Sequence, residues 1–330
     1  MTDPTLTPDT VARWNANKPI FTAGPASLIY DNIAALRACF GRGDAEFLAS
    51  YDNVLGMISA LAEQDRTVAM QGSGTSAIEV MIANFLYGRV LVVDSGYYAK
   101  RLIAIARTRM ARDGYIDSVD VVDWGQIDSA GGAYDWVLAV YTETSEATLV
   151  PIAGLAGLAK RTGAKLALDA TASIGLEPDH GAAQVCAFSS CKGLFGLTGA
   201  GFISHSVAPA NDVPDMIAAL STYADKKTTG PYHAILSLEP ILATHADHRE
   251  AVVTNKRVFC QRFADHLMYP SAQQPLLCTA LDVPIRATDP NAVLYAPRDT
   301  RAASVTCHLG EVHLGRDARG ALVDLLEVAG

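Results

Sequence analysis

From residue 67 to 204 the chain alternates short apolar runs with longer stretches whose apolar positions recur every three or four residues. The short runs, bounded by turn residues, predict strands at 67–71, 90–93, 119–122, 136–141, 166–168, 185–188 and 202–203. Between them, Ile78, Met81, Ile82, Phe85 and Leu86 fall at helical spacing, with Ser76 and Glu79 at capping-box spacing ahead of them. Further helices are predicted over 98–109 and 151–162. Apolar strands separated by helices predict an α/β fold with a mostly parallel central sheet covered on both faces. Helices are also predicted at 29–40, 47–62 and 214–223, followed by a polar loop at 225–232. A long helical stretch, 233–267, is expected to be interrupted at Pro240. Short strands at 276–280, 292–295 and 304–308 and a terminal helix at 316–328 complete the pattern. This predicts an N-terminal arm (1–20), a large domain (21–250) and a small C-terminal α+β domain (251–330).

Half of the 330 residues are hydrophobic, enough for a large core. The net charge is −9 and no basic block is present, which argues against nucleic acid or an anionic membrane as partner. The six cysteines are scattered without a CxxC pair, which favours reduced thiols in the cytoplasm over a disulfide framework or a metal site. The first residues are polar, without an apolar signal core, and no apolar run reaches the length of a membrane span.

The candidate chemistry lies at strand ends. The run 187–190 leads into Cys191 and Lys192, then into a loop with Gly193, Gly196 and Gly199. A lysine there can meet an aldehyde as a free amine, because desolvation disfavours the ammonium. The run 166–168 ends in Asp169. An acid and a lysine at the ends of two buried strands suit pyridoxal phosphate: the acid keeps the pyridine nitrogen protonated and the lysine forms the Schiff base. A solvated Lys192 and a helix-capping Asp169 fit these two positions equally well. The turn 72–76, Gly-Ser-Gly-Thr-Ser, joins a strand to a helix and can cradle phosphate with amides, hydroxyls and the helix's positive end. It lacks the lysine of a P-loop and the spacing of a dinucleotide site. Tyr98 opens a helix after a strand and can lay its ring on a planar cofactor, a role for which Tyr97 competes. Ser189 and Lys192 also match the S-x-x-K of serine acylases, but the serine ends a strand and no S-D-N partner exists. His245 and His248 share a helix face, expected to be solvated.

Taken in order, these segments resemble the fold-type I, class V aminotransferases, most of all the 2-aminoethylphosphonate–pyruvate transaminases, over residues 21–242. FTAGPASL, with Gly24, is similar to the family's T-P-G-P loop, and QGSGTSAIE to its phosphate turn at Ser73, Gly74 and Thr75. DSGYYAKR resembles the segment with the stacking tyrosine, placed on Tyr98, and YTETSEATLVPI puts Thr144 beside the cofactor. LALDATASIG and FSSCKGLFGLTGAGF match the segments of the pyridine-binding aspartate, Asp169, and the lysine, Lys192. TTGPYH resembles the loop that crosses a dimer interface, with Thr229 reaching the partner's phosphate. The resemblance implies pyridoxal phosphate, a homodimer and transfer of an amino group from a small amine to a 2-oxo acid such as pyruvate. It departs at the C-terminus, where Val305 stands in the register of the family's carboxylate-binding arginine. Arg298 and Arg301, or failing them Arg42, are the substitutes to consider. A lyase or decarboxylase on the same scaffold would need no acceptor carboxylate. A cofactor-binding protein without turnover is the remaining alternative.

Overall fold

The apolar runs pair with one another because most are hydrophobic on both sides. The computed structural model describes residues 6–38 and 43–329. Seven runs form one sheet: β1 (Arg66–Gln71), β2 (Gly88–Asp94), β3 (Ile116–Asp123), β4 (Trp136–Val140), β5 (Lys165–Asp169), β6 (Val185–Ser189) and β7 (Ala200–His205). Their order is β1-β7-β6-β5-β4-β2-β3, and β7 alone runs against the others. The main helices are α1 (Ala45–Leu61), α2 (Gly74–Phe85), α3 (Tyr97–Asp113), α4 (Ile152–Thr162), α5 (Tyr232–Ala243) and α6 (His245–Arg262). Along β2, Leu91 and Val93 join one apolar layer, where Ile58 of α1, Leu158 of α4 and Leu238 of α5 cover the sheet. Val90 and Val92 join the other, beneath Met81 of α2 and Leu102 of α3. This is the mostly parallel, doubly covered sheet that the alternating pattern predicts.

Past β7 the chain adds small paired strands. Cys278–Leu281 runs antiparallel to Ser304–Cys307, and Ile285–Ala287 to Leu326–Val328. Ile20–Phe21, near the start, pairs in parallel with Val293–Leu294. The boundary expected near residue 250 falls inside α6.

Several predicted ends are moved by specific contacts. Helix α2 is capped by Ser73, whose hydroxyl accepts from the Ser76 amide (3.3 Å), so the cap is not the expected Ser76–Glu79 pair. Glu79 binds Arg109 on α3 instead (3.0 Å). Pro240 lies within α5 without ending it; the break comes at Thr244, whose amide turns back to the Ile241 carbonyl (3.2 Å). The 214–223 helix is confined to Leu220–Ala224, because the Asp215 carboxylate takes the Ile217 and Ala218 amides and holds a turn. In place of the terminal helix stand 3₁₀ turns and the strand Leu326–Val328; Gly320, at φ +89°, donates its amide to Glu311. Of the 29–40 helix only Tyr30–Ala34 is helical, and 39–40 lie outside the described residues. Among the described residues no helix is long and apolar enough to cross a membrane.

Candidate active site

The chain leaves β1, β4, β5 and β6 on one edge of the sheet, the edge where open α/β sheets place their ligands. Because β7 runs the other way, it starts there: Ala200 pairs with Gln71 and Gly201 with Ser189. The loops at this edge enclose a cavity of about 310 Å³. Ser73, Gly74, Thr75, Tyr98, Thr144, Asp169 and Lys192 all line it. Seven sequence candidates thus converge although they are scattered over 120 positions (192 − 73 + 1).

Local geometry aims each of them. Asp169, buried at the end of β5, accepts the Thr171 amide on Oδ1 (2.9 Å). Lys192 Nζ stands 5.9 Å from the centroid of the Tyr98 ring. The loop at residue 24 presses on that lysine: a Cβ on Gly24, which sits at φ +138°, would come within 2.9 Å of Lys192 Cγ. The Ala26 amide donates to the Cys191 carbonyl (2.9 Å) and ties the two loops together. His245, expected on a solvated face, is buried instead, and its Nε2 lies 2.7 Å from the Gly193 carbonyl. Burial lowers its pKa, so the neutral ring with Nε2 as donor suits that contact.

At the 72–76 turn, a Cβ on Gly74 would meet Thr171 Oγ1 at 2.8 Å, so only glycine lets the chain pass this close. The turn opens the twelve-residue α2, whose first amides point out of its N-terminus. Thr142 Oγ1 and Thr171 Oγ1, on residues lining the cavity, are buried without a partner in the protein. Buried hydroxyls of this kind are ordinarily satisfied. Together with an acid, an amine, an aromatic face and a helix N-terminus, they fit a planar, phosphorylated cofactor such as pyridoxal phosphate.

The other candidates lie elsewhere. Arg298, exposed, binds the Tyr97 hydroxyl (2.9 Å), which leaves Tyr98 as the tyrosine facing the cavity. Arg301 holds Glu146 (3.3 Å). Neither arginine lines the cavity. Arg42 lies outside the described residues. Thr229 lines a neighbouring hollow that shares Thr198 and Gly199 with the cavity. Val305 is buried opposite Ala280, in an apolar cluster that includes Ala23 and Ala172.

Sequence reasoning missed several residues here. Glu143, fully buried, accepts the Tyr98 and Ala99 amides (3.0 and 3.1 Å) and the Ser145 hydroxyl (2.6 Å). Burial raises its pKa, against these hydrogen bonds. An acid two residues past the apolar run 136–141 is its signal. Tyr295 interacts electrostatically with Thr144 and Tyr98, and burial pushes its phenol up. No local pattern marks it. Arg101 lines the cavity too, and its spacing of three from Tyr98 on one helix was visible in the sequence.

No protein-family model matches the chain. A 2-aminoethylphosphonate–pyruvate transaminase of Pseudomonas putida (strain W619) is 26% identical over 317 residues, covering 87% of this chain and 83% of the relative. Among solved structures, an alanine–glyoxylate aminotransferase from Nostoc sp. superposes with a TM-score of 0.77 at 19% identity, over 93% of each chain. An aspartate aminotransferase of subgroup IV from Thermus thermophilus gives 0.79 at 16% identity, over 93% of this chain and 97% of that one. The chain has the fold of these aminotransferases.

Proposed function

We propose that this chain, a pyridoxal-phosphate-dependent aminotransferase related to the 2-aminoethylphosphonate–pyruvate transaminases, moves an amino group from a small aminophosphonate-like amine to a 2-oxo acid such as pyruvate. The observation that carries this reading is the meeting of Lys192, Asp169, Tyr98 and the Ser73–Thr75 turn in one cavity. When bound, the cofactor supplies an aldehyde for amine capture and a protonated ring that withdraws electrons from the substrate carbon. Lys192 Nζ would hold the cofactor's aldehyde and, when free, would serve as the base that accepts and returns a proton at Nζ. Asp169 keeps the proton on the ring nitrogen. Tyr98 would offer its face to the ring, and Thr144, which lines the same cavity, would border it. Ser73, Gly74 and Thr75 bind the phosphate, completed by the partner subunit's Thr229 in a homodimer. That Thr229 stays out of its own chain's cavity supports a reach across to the partner. Gly24, beside Lys192, borders the substrate. Arg42, Arg298 and Arg301 are the candidates for the acceptor carboxylate, although Arg298 and Arg301 would have to leave Tyr97 and Glu146. The reading places the protein in the cytoplasm and in phosphonate metabolism.

Val305, buried among apolar residues where the family's arginine is expected, favours one rival: a lyase or decarboxylase that needs no acceptor carboxylate. Half-reaction spectroscopy on the loaded protein separates the two. Added 2-aminoethylphosphonate should convert the aldehyde form of the cofactor to the amine form, and pyruvate should restore it. A lyase releases product and keeps the aldehyde form; a non-catalytic binder does neither. Sedimentation of the same sample should show a dimer, and a fully active monomer would remove Thr229 from the site.

A further inference from the structure

Arg101 is a charged residue at this cavity with no task so far. It and Lys192 are the cations among the lining residues, and Asp169 the acid. Lys192 is committed to the aldehyde in the proposed chemistry, which leaves Arg101 as the lining cation free to meet an anion. Three other cations of α3 are engaged, Lys100 with Asp299, Arg109 with Glu79 and Asp113, and Arg112 with Asp215, while Arg107 is exposed and lies outside the cavity lining. Arg101 enters no ion pair among the described residues. Its guanidinium carbon lies 4.9 Å from the centroid of the Tyr98 ring, on the side chain read as the stacking platform.

Arg101 lines the same cavity as the 72–75 turn. Helices α2 and α3 both start at the ligand edge and are joined by the Glu79–Arg109 pair (3.0 Å). Arg101 precedes Arg109 by eight residues, about 12 Å of helix. The same step back along α2 from Glu79 passes its first residue, Gly74, and reaches the Gly72–Ser73 turn. Amides and hydroxyls at that turn donate hydrogen bonds, but a helix N-terminus carries only about half a charge. A phosphate monoester near neutral pH carries about −1.5 to −2. A planar guanidinium supplies both the missing charge and a fork matched to phosphorus oxygens.

We propose that Arg101 is the charge partner of a phosphorus oxyanion in this cavity: the phosphate of the cofactor or the phosphonate of the amine substrate. The inference rests on the reading of the cavity as a pyridoxal phosphate site. The test titrates apoprotein with pyridoxal phosphate and, separately, with pyridoxal, which lacks the phosphate, following absorbance. Wild type, Arg101→Gln and Arg101→Lys are compared, with circular dichroism to confirm the fold. If Arg101 holds the cofactor, the Gln variant raises Kd for pyridoxal phosphate tenfold or more and leaves pyridoxal unchanged, while Lys recovers part of the loss. If it holds the substrate, cofactor Kd stays constant and the KM for 2-aminoethylphosphonate rises tenfold or more, while the KM for a primary amine without phosphorus stays put. Unchanged values in both arms overturn the proposal, as does an equal loss of pyridoxal phosphate and pyridoxal. The binding arm needs no turnover, so a wild type that binds the cofactor but fails to transaminate sinks the transaminase reading alone. A wild type that binds neither compound sinks both.

Discussion

In the proposed reaction Asp169, at the end of β5, and Lys192, in the loop after β6, carry the chemistry, and each role can be removed singly. Asp169→Ala should still bind cofactor, since the phosphate turn and Tyr98 remain. A hydrogen bond to a charged group is worth about 1.5–3 kcal/mol, so turnover should fall roughly ten- to a hundredfold if ring protonation depends on that carboxylate. Near-normal turnover in the variant would free Asp169 of the role. Borohydride reduction of the loaded protein followed by peptide mapping should leave pyridoxyl on Lys192. Lys165 is the useful contrast, because its Nζ is occupied by the Tyr87 hydroxyl (3.0 Å) far along the sheet from the cavity edge. Label found there would reverse the assignment. Residues such as these were legible because each stands at the end of an apolar run, where the backbone itself aims the side chain. Tyr295 was not, since it reaches Thr144 and Tyr98 only after the chain has folded back across about 150 positions.

At the scale of elements, helix α3 depends on an acid outside itself. Its N-cap is Gly96, which offers no side-chain hydrogen bond, and Glu143 takes the Tyr98 and Ala99 amides from the segment after β4. The carboxylate is stabilised by the positive end of the helix while burial opposes its charge. This contact sets the direction in which Tyr98 leaves the helix. Glu143→Ala should orphan two buried amides, cost about 1–3 kcal/mol of stability in urea unfolding and weaken cofactor binding with it. A variant with wild-type stability and affinity would show that Tyr98 is held by other means. The same dependence explains which parts of the fold the sequence conceals. The strands of the sheet follow from apolar runs, which no other arrangement buries as well. Helix ends do not: Ser73 and Asp215 bond amides two or three residues on, contacts that other nearby serines and acids could make as well, and Gly320 acts through Glu311, nine residues back. Pro240 shows the converse: a strong local signal that α5 tolerates, with the break displaced to Thr244.

At the scale of the whole molecule, stability should respond to acid through imidazoles sealed in the core. His180 is fully buried, with Nε2 2.9 Å from Ser173 Oγ and Nδ1 without a partner, and burial lowers its pKa from 6.5 to about 4. Burial likewise lowers the buried His308 to about 3, and the half-buried His313, outside the core proper, to about 4. Once unfolded, each ring takes a proton below about pH 6.5, whereas in the native state it stays neutral until pH 3 or 4. The unfolded state therefore binds more protons in this window, and stability, complete above pH 6.5, is lost as pH falls through it. Glu143, Glu177 and Glu311 act in the opposite sense, because burial raises their pKa and the native state keeps protons that the unfolded state releases. Their stabilisation is present at low pH and lost as pH rises through the raised values. The two sets partly offset one another, so one histidine must be isolated. His180→Gln keeps a polar side chain opposite Ser173 and deletes one titrating group. It should be less stable than wild type at pH 7, through poorer packing against Tyr141. Its stability should then decline less steeply than wild type between pH 6.5 and 4, by up to about 1.4 kcal/mol per pH unit, the value of one proton. Integrated over the shift, His180 alone accounts for about 3 kcal/mol of acid sensitivity. Urea midpoints measured across that range decide the matter: parallel pH profiles for wild type and His180→Gln would mean that His180 titrates alike in the folded and unfolded chain.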